Sequence, residues 1–87
     1  MYLSIIVPIY NVEQYIVSCF ESLFRQSLDT ALYEVIAVND GTPDNSMILV
    51  EQYAEKYSNI RIVNKENGGV SSARNEGIKQ AVGDFIL

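Results

Sequence analysis

The chain has 87 residues, with six Lys+Arg against eleven Asp+Glu for a net charge of −5, a pI near 4.4, one cysteine and no histidine. That length allows one small domain or a piece of a larger one, and a chain of this size buries only about 60–65% of its unfolded surface. The acidic balance argues against nucleic acid and anionic membranes as partners, the lack of histidine excludes Ser-His-Asp and Cys-His nucleophile systems and His-ligated zinc, and Cys19 alone forms no internal disulfide.

Met1 to Tyr10 carries no basic leader, and no apolar run approaches the roughly 18–20 residues that cross a bilayer, so a soluble, cytoplasmic segment is expected, with no membrane contact of its own. A longer protein containing it would still be compatible with membrane association.

Leu3–Val7 is β-branched and nearly all apolar, as a strand covered on both faces should be, and Pro8 is read as its stop. Asn11 stands as an N-cap with Gln14 at the capping-box position. Tyr15, Ile16, Cys19, Phe20, Leu23 and Phe24 follow on one helical stripe. Tyr33–Val38 is a second strand, ended by the turn signal Asn39-Asp40-Gly41. Thr42-Pro43 reads as N-cap and N1 proline of a helix reaching about Tyr57, with Met47, Val50, Ala54 and Tyr57 inward. Ile60–Val63 is a third strand and Lys65 to Gly69 a glycine-bearing loop. A third helix spans about Ser71 to Ala81, with Ala73 and Gly77 four apart for close approach and Gly83 at C′. Asp84 to Leu87 begins a fourth strand. The apolar run at the end of the chain leads us to expect a fragment, residues 1–87 of a longer domain. The order β-α-β-α-β-α-β implies a parallel α/β sheet with helices on its faces.

In such a sheet ligands bind beyond the carboxyl ends of the strands. Three loops leave those ends: Pro8 to Asn11, Asn39 to Thr42, and Asn64 to Gly69. Tyr10 offers a ring face for a base, or ordinary packing. Asp40 can accept a pyrimidine ring N–H, or cap a turn. Asn67-Gly68-Gly69 before a helix suits an anion, or a flexible turn, and Arg74 one turn on can reach a phosphate, or stand in solvent. Glu13, Asp44 and Asp84 are candidates for an acidic metal or acid/base group, or for solvated helix-dipole partners.

Read together, SIIVPIYNVEQYI, YEVIAVNDGTPDNS, NKENGGVSSARNEGI and GDFIL resemble the start of a family 2 glycosyltransferase of the GT-A type, over essentially the whole chain. The resemblance implies a Rossmann-like nucleotide-binding sheet, here an incomplete GT-A fold, and transfer of a sugar from a nucleotide-sugar, most often a UDP-sugar, to a hydroxyl of a sugar or lipid-linked acceptor, with inversion. It implies that Pro8, Tyr10 and Asn11 form the first base-contacting loop, with Tyr10 against the uracil and Glu13 in the same patch. Asp40 would hydrogen-bond the uracil, and Asn67, Gly69 and Arg74 would lie near the ribose-diphosphate. It implies a divalent cation, Mn or Mg, on an Asp-x-Asp motif beyond residue 87, and a catalytic Asp or Glu further on, so that residues 1–87 contain neither metal ligands nor catalytic residues and are inactive alone. The usual Gly-Ser-Thr-Asp is replaced by Gly41-Thr42-Pro43-Asp44. A non-enzymatic nucleotide- or protein-binding module is the alternative. A dinucleotide-dependent dehydrogenase fits poorly, because the first strand-end loop has no glycine. An unfinished parallel sheet also predicts exposed edges and self-association, such as a homodimer.

Overall fold

β-branched and aliphatic runs supply the sheet, and amphipathic segments cover it. In a computed structural model, which describes residues 3–25 and 29–87, the elements are β1 (Leu3–Ile9), α1 (Glu13–Phe24), β2 (Tyr33–Asn39), α2 (Ser46–Lys56), β3 (Ile60–Asn64), α3 (Val70–Gln80) and β4 (Phe85–Ile86). All strand pairs are parallel and the order is β3-β2-β1-β4. The α/β, Rossmann-like architecture expected from the sequence is therefore present. The chain winds outward from β1 to β3, then α3 carries it back across the sheet to the other side of β1.

β2 is the central strand of the core, buried from Tyr33 through Val38. On one face Ile5, Ile9, Val35 and Ala37 meet Ile16, Phe20 and Val50 of α1 and α2, extended by an aromatic group in which Phe24 stacks on Tyr57 at 3.9 Å. On the other face Ile36 and Val38 meet Ala73 of α3. The spacing of Ala73 and Gly77 does what it predicts: both are buried, and a Cβ built on Gly77 would lie 2.5 Å from Ile6 Cγ2, so α3 rests directly on β1.

Several local expectations are corrected. β1 continues through Pro8 to Ile9. Even-numbered residues of β1 bond towards β4, as Ile6 N–H to Leu87 O shows, so the N–H that Pro8 lacks is not one that β2 needs. Tyr15, placed on the apolar stripe by spacing, is 65% exposed. Val12, not Asn11, is the N-cap residue of α1 and makes no side-chain cap, so the Asn11–Gln14 box is absent. α2 begins at Ser46, four residues after Thr42. Gly83 is not a C′ residue: α3 ends with an extended Ala81. Gly83 is small because a Cβ there would sit 2.8 Å from the Leu3 carbonyl carbon and Ser4 N.

Candidate functional site

The carboxyl ends of β1, β2 and β3 are tied together by backbone bonds. Asp40 N–H donates to Ile9 O at 3.0 Å, and Lys65 N–H donates to Asn39 O at 3.0 Å. The three loops that follow therefore share one edge of the sheet, and the donor-site residues read from the sequence lie on them, at the end of β1 (Pro8) or near the starts of α1 and α3.

One cluster forms around Asp40, which is 2% exposed. Its Oδ1 accepts from Lys65 Nζ at 2.8 Å and from Gly68 N–H at 3.0 Å. Its Oδ2 accepts from Gly69 N–H at 3.0 Å and, at 3.5 Å, from Asn67 Nδ2. Asn67 Nδ2 also donates to the Asp40 carbonyl at 3.0 Å. The hydrogen bond from Lys65 is the largest influence holding the carboxyl below its ordinary value; burial opposes it, and the Gly68 and Gly69 amides add to it. The glycine nest thus already holds an anion, and that anion is Asp40. Gly69 is at φ 94°, with open space where a Cβ would be, and Gly41, at φ 72°, packs against Asn67.

A second cluster joins the starts of α1 and α2. Asn11 N–H donates to Thr42 Oγ1 at 2.9 Å, Val12 N–H to Ser46 Oγ at 3.2 Å and Glu13 N–H to Asp44 Oδ2 at 3.1 Å. In return Asn45 N–H donates to Glu13 Oε1 at 3.0 Å, while Asp44 Oδ1 accepts from Ser46 N–H at 3.1 Å and from the Thr42 hydroxyl at 2.6 Å. Ser46 and Thr42 hold the Asp44 carboxyl far below the usual carboxylate range. The start of α1 is capped by side chains from the start of α2, and the start of α2 by Glu13 and by its own Asp44, so Glu13 and Asp44 serve as structural acceptors.

The remaining residues face solvent. Tyr10 is 42% exposed, Asn11 is exposed at φ 54°, and Pro8 is half-buried. Arg74 is exposed on α3, whose start has no side-chain cap. Lys65 and Ser46 had no assigned role in the sequence reading. Their signal is weak, since a single Lys in a loop or Ser in a helix is common. Asp84 lies apart, before β4 at the amino end of the sheet. Among the described residues no group of three or more His, Cys, Asp or Glu could hold a metal ion, and no helix is long and apolar enough to cross a membrane.

Known proteins share this fold. The chain is 54% identical over 83 residues to the glycosyltransferase EpsJ of Bacillus subtilis strain 168, a match covering 95% of this chain and 24% of that protein. It superimposes on Staphylococcus aureus TarS 1–349 in complex with UDP-GlcNAc with a TM-score of 0.93 and 38% identity, over 100% of this chain and 25% of that one. A mannosyltransferase from Pyrobaculum calidifontis, in complex with GDP-Man and Mn2+, shares the fold with a TM-score of 0.88 at 24% identity, over 97% of this chain and 25% of its own. The chain thus spans about a quarter of the length of these relatives. The sequence profile of glycosyl transferase family 2 matches residues 4–87, and the chain belongs to that family.

Proposed function

We propose that this chain is the donor-nucleotide-binding part of a glycosyltransferase that moves a sugar from a UDP-sugar to an acceptor hydroxyl with inversion. The observation that carries the proposal is the convergence of three strand-end loops on one edge, where the first-residue amides of α1 and α2, Glu13 and Ser46 N–H, are taken by Asp44, whereas at α3 the Asp40 carboxylate reaches only as far as the Gly69 amide before the helix. That division separates a base end from a phosphate end.

At the base end, Tyr10 supplies a ring face beside Pro8 and Asn11, with Glu13 fixing the loop below them. A carboxylate offers about four acceptor positions, and Asp40 has four donors. A pyrimidine ring N–H therefore takes the place of the longest of them, Asn67 Nδ2 at 3.5 Å. At the phosphate end, the first amides of α3 and the Arg74 guanidinium receive the diphosphate, near Asn67 and Gly69. The TarS structure, a complex with UDP-GlcNAc, supports a nucleotide-sugar as the ligand of this fold.

The acids at this edge, Asp40, Asp44 and Glu13, are occupied by internal hydrogen bonds, so the contribution of this chain is binding and orientation. A divalent cation, implied by the family resemblance, finds no cluster of ligands among the described residues. Self-association through β4, where Val82, Phe85, Ile86 and Leu87 are exposed, also belongs to this proposal, and light scattering at increasing concentration tests it.

The deciding measurement is thermal unfolding with UDP and with ADP, which share a diphosphate and differ in the base. UDP is expected to raise Tm more than ADP, and Tyr10→Ala to remove the difference. Arg74→Ala is expected to lower both responses together. Equal responses of the unaltered protein to the two nucleotides would overturn the base assignment.

A further inference from the structure

Resting on the nucleotide reading above, we propose that Thr42 and Asp44 are positioning residues for the base-contacting turn: they touch no ligand and act by fixing the backbone that presents Tyr10. Asn11 sits at φ 54°, a left-handed conformation that Asn tolerates better than most residues with a side chain and that neighbouring contacts here hold in place. The consecutive amides of Asn11, Val12 and Glu13 each donate to a side chain of the loop before α2 or of the first residue of that helix, 31 to 34 residues away.

Helix capping explains the bond of Glu13, the first residue of α1, but not that of Asn11, which precedes the helix and its N-cap residue. The Asn11 bond holds the turn itself. Its acceptor is oriented in a defined way: the Thr42 hydroxyl donates its proton to Asp44 Oδ1 at 2.6 Å, which leaves its lone pairs for the Asn11 N–H at 2.9 Å. Pro43 stands between Thr42 and Asp44, restricts φ there and contributes no amide that would need a partner. The departure from the usual Ser-Thr-Asp thus stiffens the loop that sets the turn. The order of action runs from Asp44 to Thr42 to Asn11 and so to Tyr10.

The test compares UDP and ADP binding by calorimetry in the full-length protein and in Thr42→Val, Asp44→Asn and Thr42→Ser variants. Thr42→Val removes the hydroxyl at nearly constant volume. Asp44→Asn keeps the shape but turns an N–H against an N–H donor. Each is expected to weaken UDP binding about tenfold, the effect of one lost hydrogen bond, and to leave ADP binding unchanged. Thr42→Ser keeps the hydroxyl and is expected to stay within about twofold of the parent, and amide exchange at Asn11 is expected to accelerate in Thr42→Val and Asp44→Asn but not in Thr42→Ser. Should Asp44→Asn fail to fold, the Val and Ser pair at 42 decides alone. Equal losses for UDP and ADP, or retained preference for UDP in Thr42→Val, would overturn the positioning role. A parent protein that binds neither nucleotide would instead overturn the reading on which it rests.

Discussion

Strand β2 carries a buried carboxylate at each end, Glu34 near its start and Asp40 just past its finish, and the two are built alike. Each is no more than 2% exposed and each meets a cation of β3 or the loop after it, Arg61 Nε at 3.4 Å for Glu34 and Lys65 Nζ at 2.8 Å for Asp40. Each also accepts backbone amides from a distant segment: Val82 N–H at 2.8 Å for Glu34, Gly68 and Gly69 for Asp40. Glu34 further accepts the Ser4 hydroxyl at 2.5 Å, and Ser4 Oγ accepts from Gly83 N–H at 2.8 Å. Arg61 also donates to the Gln80 carbonyl. The difference is direction. Glu34 lies at the amino end of a parallel strand and fixes the turn between α3 and β4. Asp40 lies at the carboxyl end, where α/β sheets take their ligands. A buried, paired carboxylate is therefore no site signature by itself; its place along the strand decides what it can do.

Substitution at each carboxylate sharpens that contrast, and the largest effect on stability is expected at the amino end. Glu34→Ala leaves two donors of Ser4 and Val82 without their acceptor, while Arg61, half-exposed, can turn to water. We expect a loss of about 2–3 kcal/mol in urea unfolding, with the preference for UDP over ADP unchanged. Asp40→Asn should show the reverse balance: a smaller loss of stability, faster hydrogen exchange at the Gly68 and Gly69 amides, and loss of the UDP preference. Loss of UDP preference in Glu34→Ala would erase the distinction.

A smaller effect is expected with pH. Burial alone pushes the Glu34 carboxyl up, but the Ser4 hydroxyl, the Val82 amide, Arg61 and the Gly83 amide together hold it below its ordinary 4.5. Asp40 is likewise held below its ordinary 3.8. A lowered value in the folded state means that the unfolded chain binds more protons, so the stability these groups contribute is complete above their unfolded values and is lost as pH falls through the folded ones. Below about pH 4.5 the Tm of Glu34→Gln is expected to fall less steeply than that of the parent.

The fold was legible because its signals are local. Tyr33 to Val38 and Ile60 to Val63 read as strands from composition, and the close approach at Ala73 and Gly77 read from spacing. The loops that gather at the carboxyl ends followed from element order. The helix starts were not legible, because capping rules look for acceptors a few residues away, whereas those of α1 come from Thr42, Asp44 and Ser46. Gly83 misled because glycine marks both a C′ position and a crowded backbone, and only the second applies. Asp40 stood out through its turn, but Lys65, its closest partner, carries no motif. Glu34 had a signal that went unread: a single acid within an otherwise apolar buried strand, YEVIAV.

The seat of Gly77 on Ile6 has a consequence at the far end of its helix. Because no methyl separates them, the height at which α3 rides above the sheet is settled at its rear, and Arg74 together with the leading amides inherits that height. Any bulkier residue at 77 would lift the arm and carry its head away from the strand tips, so the geometry of the proposed donor site would be retuned from a position outside it.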